Sequence, residues 1–240
     1  MTSMKVFFQL LRDGLWHSAE DVPTELSTKQ FARLIALADK QAVTGLVAEV
    51  LLRNKVKISE DNYYETISVV GLLAAQNEII NNGLREFVEL LKKHGIGYVV
   101  VKGQVVASYY IQPTLRQAGD IDYYCSAGDY EQSLQVLKEI WGIDIVSKRC
   151  SKHIHYNRHE VTFEGHFSLM SFYSKKKNNY WQQLLNNDRG TEVNVDGINV
   201  RTLSPMLHVM YVFFHLYNHL MELGIGLRQF CDWAVMLHVC

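Results

Sequence analysis

Asp120 and Asp122 are separated by a single residue in the segment Gly119–Tyr124. On an extended strand, two such side chains lie on the same face, with Cα atoms about 6.5–7 Å apart. Magnesium prefers oxygen ligands, and a pair of ions can stabilise the attacking and leaving oxygens of a phosphoryl-type displacement. Short acidic pairs are also common in turns, but the alternation with Ile121 and Tyr123 favours a strand with one buried face. The spacing therefore predicts metal ligands at Asp120 and Asp122.

A second group of residues could hold phosphate. Lys102 and Gly103 end a short β-rich run, where a glycine amide can approach phosphate oxygens and a lysine supplies a point charge. Arg116 could make a bidentate contact with a phosphate, or it could be a loop arginine paired with a nearby acid, and the sequence leaves both open. The candidate phosphate-binding residues are Lys102, Gly103, Arg116 and Gly119.

These motifs resemble the signature of the uncharacterised bacterial nucleotidyltransferase family within the polymerase-beta-like superfamily. The resemblance covers roughly residues 102–232 and rests on Lys102-Gly103, Tyr109-Tyr110, Pro113, Arg116 and the segment Gly119-Asp120-Ile121-Asp122. It implies an α/β (α+β) fold with a polymerase-beta-like core, in which a small mixed sheet is flanked by helices. It also implies two catalytic aspartates on one strand and a third acid on a neighbouring strand.

The resemblance implies Glu164 as the third acid, because it lies shortly before His166, and Glu160 is the alternative. On a strand, Glu164 and His166 share a face, so the acid could complete a metal site or accept a proton from an acceptor hydroxyl. Gly165 weakens this strand and leaves the placement of Glu164 open. In the superfamily the first strand usually ends in Gly-Ser, whereas this chain has no hydroxyl at Lys102–Gln104.

The implied activity is metal-dependent transfer of an NMP group from an NTP to a hydroxyl-bearing acceptor, with release of pyrophosphate. Two Mg²⁺ ions are expected at Asp120, Asp122 and Glu164, and Mn²⁺ could substitute for them. The expected partners are the NTP and an acceptor that is either a small molecule or a protein. The alternative is a catalytically silent nucleotide-binding or interaction module on the same fold.

Periodicity predicts a helical segment over residues 1–95, an α/β core over 96–200 and a second helical segment over 201–240. Proline and glycine positions place a helix from Pro205 to about Gly224. The other predicted helices cover residues 104–111, 130–141 with Asp129 as a cap, and the region from Leu227. The predicted strands cover residues 98–101, 118–125, 143–146 and 161–169.

The composition excludes several classes of protein. Lys and Arg number 24 against 25 Asp and Glu, so no overall charge draws the chain to nucleic acid or an anionic membrane. The longest apolar region, residues 207–221, is interrupted by histidines, and no membrane span is expected. The four cysteines form no CxxC pair, which favours reduced thiols and a cytoplasmic location.

Other polar clusters have simpler interpretations. The basic segment with His153, His155 and His159 could face a triphosphate, but a solvated loop is favoured and a zinc site is less favoured still. Packing is favoured over metal binding for His215 and His219, which are four residues apart. The remaining expectations are an ion pair of Arg228 with Asp232, an exposed turn at Lys175–Lys177, and core positions rather than base stacking for Tyr109, Tyr110 and Tyr124.

Overall fold

The computed structural model describes residues 3–18, 22–143, 153–222 and 224–239. The chain folds into two compact units, each built from separate stretches of sequence. The first unit comprises Met1–Glu78, Tyr109–Ala118 and His219–Val239, and the second comprises Ile79–Ser108 and Gly119–Asn218. The three contiguous segments expected from the sequence are a different division of the chain and stay a prediction.

The described residues contain nine α-helices and six β-strands, which are joined by loops. The helices are α1 (Ser3–Trp16), α2 (Thr28–Lys40), α3 (Thr44–Arg53), α4 (Glu60–Lys93), α5 (Gly103–Ala107), α6 (Ala127–Trp141), α7 (Lys175–Asn187), α8 (Pro205–Glu222) and α9 (Leu227–Val239). The strands are β1 (Val99–Val101), β2 (Ile121–Tyr124), β3 (His153–Arg158), β4 (Val161–His166), β5 (Thr191–Val195) and β6 (Ile198–Thr202). The expected combination of helices with small sheets is confirmed.

The first unit is helical within the described residues. The helix α2 begins with a capping box, in which Ser27 and Gln30 satisfy each other's main-chain N–H groups. Apolar residues of α1, α2 and α3 form the core; among the most buried are Phe7, Leu10, Phe31, Leu34 and Val47. None of the described helices combines the length and apolar character needed to span a membrane.

The second unit contains a four-stranded sheet in the described part of the chain, with strand order β1-β2-β4-β3. The central pair β2 and β4 is parallel, whereas β1 and β3 pair antiparallel with their neighbours. The sheet is therefore mixed, as expected. One face packs on helices, because Tyr123 of β2 lies 4.5 Å from Phe87 of α4 and Phe163 of β4 lies 5.7 Å from Trp141 of α6, measured between ring centroids.

Several expectations about local structure are wrong. The strand β2 begins at Ile121, so Asp120 precedes it rather than lying within it. The physical reason is the short partner strand: β1 ends at Val101, which pairs with Asp122, and Lys102 then turns away with φ 58°. The helix α6 begins after Ser126 rather than at an Asp129 cap, and Asp129 lies in its first turn.

Further differences lie in the polar segments. The segment predicted as a solvated loop forms β3, because Ile154 and Tyr156 alternate with its polar residues and are buried. Lys175–Lys177 is the exposed first turn of α7, not a turn between elements, because Ser174 accepts a hydrogen bond from Lys177 and caps the helix. The hairpin of β5 and β6 was not expected. The predicted strand over residues 143–146 lies outside the described residues beyond Ile143.

Gly165 occupies a regular position in β4, opposite Tyr123 of β2. A Cβ atom at Gly165 would lie 2.5 Å from the hydroxyl oxygen of Tyr123. The glycine therefore makes room for the tyrosine ring on the core face of the sheet rather than ending the strand. Glu164 and His166 are the neighbours of Gly165 in the strand, so this register places their side chains on the opposite face of the sheet.

Candidate metal and phosphate site

The strand register brings carboxylates and imidazoles together on one face of the sheet. Asp122 of β2 lies directly beside Glu164 of β4, and Glu164 lies beside His155 of β3. His166 pairs in the same way with His153. Since alternate residues of a strand share a face, these five side chains lie on the face opposite Tyr123 and Phe163.

Asp122 is buried and has two polar partners. Its Oδ1 atom lies 2.7 Å from Nζ of Lys102 and 3.0 Å from Nε2 of His166. Burial opposes ionisation of this carboxyl group, but the positive charge of Lys102 and the hydrogen bond from His166 outweigh it and lower the pKa of Asp122 to about 2. Asp122 is therefore a carboxylate at neutral pH, and His166 donates to it through Nε2.

Lys102 reaches Asp122 from an uncommon backbone conformation. It follows β1 with φ 58° and ψ −145°, a region that costs a non-glycine residue roughly 1–3 kcal/mol. Its main-chain N–H donates to Nε2 of His208 on α8, at 3.2 Å. Burial opposes the charge of the Lys102 side chain, but Asp122 more than compensates, so the pKa of Lys102 is raised.

Gly103 continues this turn with φ 41°. A Cβ atom at Gly103 would lie 3.1 Å from the main-chain oxygen of Asp120, which is closer than side chains ordinarily approach. Glycine thus allows the turn after β1 to lie against the segment that leads into β2. The two motifs recognised in the sequence, around Lys102 and around Asp120, are neighbours in the fold.

The carboxylate of Glu164 lies among three imidazoles in the described part of the chain. Its Oε1 atom lies 3.6 Å from Nε2 of His166, 3.6 Å from Nδ1 of His153 and 3.7 Å from Nε2 of His155. Ligand atoms of Asp122, Glu164 and His166 lie within 4.8 Å of one another, close enough to share a metal ion. Glu160 is exposed in the turn between β3 and β4, away from this group.

Asp120 and Gly119 lie in the loop before β2. Asp120 is half-buried and Gly119 is exposed. Neither potential metal-binding group found among the described residues includes Asp120. The structure therefore brings Asp122, Glu164 and His166 together directly, whereas the roles predicted for Asp120 and Gly119 stay predictions.

Arg116 belongs to the first unit and is buried. Its Nε and Nη2 atoms donate to the two carboxylate oxygens of Asp232, at 2.7 and 2.8 Å, and the hydroxyl of Tyr110 donates to the same carboxylate at 2.7 Å. This is the ion-pair alternative that the sequence left open. Arg228 donates to the main-chain oxygen of Gln117. A phosphate contact by Arg116 stays a prediction.

The other histidines and cysteines singled out in the sequence lie outside the metal-binding groups of the described residues. The ring of His215 lies 6.3 Å from that of Tyr211, and neither His215 nor His219 belongs to a metal-binding group of the described residues. The thiols of Cys125 and Cys231 are buried and free, whereas Cys150 and Cys240 lie outside the described residues.

Sequence reasoning missed His208, whose only signal was a histidine in the first turns of an apolar helix after Pro205. It also placed His153 and His155 in a loop. Burial lowers the pKa of His208 to about 4, so this imidazole is neutral and its Nε2 accepts the hydrogen bond from Lys102. His208 is thus a neutral acceptor that holds the Lys102 turn.

Comparison with known protein families agrees with the resemblance. Residues 27–239 match the model of the uncharacterised nucleotidyltransferase family, and the chain belongs to this family. Among solved structures, a match is the antigenic nucleotidyltransferase-like protein from Paracoccidioides brasiliensis, with 16% identity and a TM-score of 0.42 over 72% of this chain and 76% of that chain. No curated protein matches the chain significantly.

Proposed function

We propose that this chain is a metal-dependent nucleotidyltransferase that moves an NMP group from an NTP to a hydroxyl-bearing acceptor and releases pyrophosphate. The observation that supports it most directly is the position of Glu164 beside Asp122 on parallel neighbouring strands. Lys102 points at the same carboxylate from the end of β1. A family member with two adjacent acids and a cation next to them has the groups that this chemistry requires.

The donor set fits divalent cations. Asp122 and Glu164 offer carboxylate oxygens within a few ångströms of one another, and Asp120 lies two residues before Asp122. These three acids would hold Mg²⁺, with two ions proposed and Mn²⁺ as a substitute, because both metals accept carboxylate ligands. When bound, such ions stabilise charge on the attacking, leaving and phosphoryl oxygens.

The protein groups have separate tasks in this proposal. Lys102 and the main-chain amide of Gly103 bind phosphate oxygens of the NTP, the first as a point charge and the second at a turn that leaves no side chain in the way. Glu164 is partly exposed, and it assists either metal binding or deprotonation of the acceptor hydroxyl. His166 orients Asp122 by donating to its Oδ1 atom. The acceptor is either a small molecule or a protein.

One observation favours the alternative of a catalytically silent binding module. Asp122 already has a full positive charge beside it in Lys102 and a hydrogen bond from His166, so its negative charge is balanced by the protein itself. A silent module would keep this ion pair as part of its core. The two functions therefore differ in whether a cation displaces Lys102 from Asp122.

The deciding experiment is calorimetry of the four ordinary NTPs with and without Mg²⁺, together with pyrophosphate release. It compares the wild type with Asp120→Asn and Asp122→Asn, and with Asp39→Asn as a matched control at an exposed position of α2. We expect Mg²⁺-dependent NTP binding that the two site variants lose and the control keeps. Absence of NTP binding by the wild type would falsify the proposal and leave the interaction module.

A further inference from the structure

A second group of potential metal ligands lies at the outer edge of the same sheet face. It consists of His153 and His155 of β3 and Glu164 of β4. The antiparallel register puts His155 directly opposite Glu164. His153 lies two residues before His155 in β3 and therefore on the same face. The strand pairing therefore holds the three side chains toward one point.

The distances suit a small cation. Oε1 of Glu164 lies 3.6 Å from Nδ1 of His153 and 3.7 Å from Nε2 of His155. Tetrahedral ligands about 2.1 Å from a zinc ion lie roughly 3.4 Å apart, so small side-chain rotations complete the geometry. The two imidazole rings meet edge to face, with centroids 4.8 Å apart, and so present their nitrogens without overlapping.

The chemistry of these donors differs from that of the Asp122 side. Two imidazoles with one carboxylate are ligands of zinc and similar transition ions, whereas magnesium prefers oxygen donors. The side chains of His153 and His155 are 41% and 55% exposed, which gives an ion access from solvent. Three protein ligands leave a fourth position for water or a substrate oxygen, the arrangement of catalytic rather than structural zinc sites.

We propose that His153, His155 and Glu164 form a binding site for a transition-metal ion of the zinc class. The site goes beyond the proposed nucleotidyltransferase reaction, which needs neither histidine. Glu164 belongs to both groups of potential ligands. An ion held by the histidines and Glu164 is therefore close to Asp122, and a water or substrate oxygen bound to that ion can lie on the Asp122 side. The ion is bound in the absence of nucleotide, which makes the site testable by itself.

The test is zinc calorimetry and Co²⁺ absorption spectroscopy on the whole chain without nucleotide. The variants are His153→Ala and His155→Ala. The matched control is His159→Ala, an exposed histidine in the turn of the same hairpin. We expect one ion per wild-type chain, a Co²⁺ visible spectrum typical of low coordination number, and a loss of affinity of more than about 100-fold in each variant, since even outer-shell partners of a metal contribute roughly 10- to 100-fold.

A second comparison decides which of the two groups of potential ligands holds the zinc ion. Asp122→Asn removes a ligand of the inner group only, so this variant is expected to keep zinc binding while it loses Mg²⁺-dependent NTP binding. The proposal is overturned if His159→Ala loses as much zinc affinity as the two site variants, or if both His153→Ala and His155→Ala keep wild-type zinc affinity. It is also overturned if Asp122→Asn loses zinc binding. A wild type that binds zinc without binding NTP would keep this site and reject the nucleotidyltransferase function.

Discussion

The ammonium group of Lys102 and the carboxylate of Asp122 form an ion pair with an Nζ–Oδ1 distance of 2.7 Å. The pair joins a residue proposed to hold phosphate to a residue proposed to hold metal. A divalent cation at Asp122 repels Lys102, because both are positive and share one carboxylate. Lys102 therefore competes with a bare metal ion, yet assists when the ion arrives with a triphosphate.

This competition predicts opposite effects of Lys102→Met on the affinity for the free metal ion and on the affinity for the metal–NTP complex. Without nucleotide, the variant is expected to bind Mn²⁺ or Mg²⁺ more tightly than the wild type. With nucleotide, it is expected to bind the metal–NTP complex roughly 10- to 150-fold more weakly, since a hydrogen bond to a charged group contributes about 1.5–3 kcal/mol. Calorimetry with each ligand measures both, and Lys138→Met, an exposed lysine of α6, is the control. Unchanged affinity for the complex would show that Lys102 is only a counter-ion.

The proposed site could be predicted in part from local patterns. Alternation of acids with Ile121 and Tyr123 correctly placed Asp122 on a strand whose apolar side chains are buried, although Asp122 on the other face is buried as well. The positions of Glu164 and His166 on one face also followed from their spacing. Asp120 was placed in the strand because nothing local shows that β1 is too short to pair with it.

The rest depends on contacts between residues far apart in the sequence. The partner of Arg116 is Asp232, 116 residues away, and no spacing rule chooses that acid over a phosphate. His208 lies 106 residues from Lys102, and only the folded structure, in which it accepts the Lys102 N–H bond, shows that it holds the Lys102 turn. The strand β3 had a usable signal in Ile154 and Tyr156, which was outweighed by the charged and imidazole side chains around them.

The buried histidine predicts a pH dependence of folding. The pKa of His208 falls from 6.5 to about 4 on folding, because burial opposes its charge and Lys102 repels it, while Asp188 partly compensates. Between these two pH values the unfolded chain binds a proton that the folded chain does not, so stability falls as pH falls from 6.5 toward 4. The contribution is on the order of 3 kcal/mol over this window.

His208→Gln tests this assignment, because a glutamine oxygen can accept the Lys102 N–H bond but does not titrate. Denaturant unfolding at pH 7 and at pH 4.5 measures the change. We expect the variant to lose less stability on acidification than the wild type. His94→Gln, the same change at an exposed histidine, is expected to keep the wild-type slope. Equal slopes for His208→Gln and the wild type contradict the assignment.

The buried ion pair of Arg116 with Asp232 predicts a large effect on stability. Asp232→Asn leaves the buried guanidinium without its carboxylate, which is expected to cost about 3–5 kcal/mol of unfolding free energy. Glu86→Gln is the control, because Glu86 is a half-exposed partner of Arg158 and such pairs contribute about 1 kcal/mol or less.

Nucleotide binding by Asp232→Asn and by Arg116→Met decides the role of Arg116. If it is purely structural, folded Asp232→Asn binds the metal–NTP complex as the wild type does, at a temperature where both are folded. If it contacts phosphate, Arg116→Met is expected to weaken nucleotide binding beyond what its loss of stability explains. Calorimetry on protein confirmed as folded by circular dichroism separates the two outcomes.

Gly165 and Tyr123 predict a steric effect on the sheet that carries the site. A methyl group in Gly165→Ala would lie 2.5 Å from the hydroxyl oxygen and 2.6 Å from Cζ of Tyr123, in a core where rings pack closely. Overpacking of this kind costs about 1–3 kcal/mol, and displacement of β4 also moves Glu164 away from Asp122. We therefore expect a lower unfolding free energy together with weaker metal binding.

The matched control is Gly71→Ala in α4, where no atom of the described chain outside the helix's own local backbone lies within 4 Å of the added Cβ. An alanine there is expected to stabilise the helix by roughly 0.5–1 kcal/mol. Because the steric effect requires the Tyr123 ring, the double variant Gly165→Ala/Tyr123→Leu should lose less stability than the sum of its single changes. Chemical denaturation of the wild type, Gly165→Ala, Tyr123→Leu and the double variant measures this coupling. Simple additivity would mean that β4 shifts without the added methyl group contacting Tyr123.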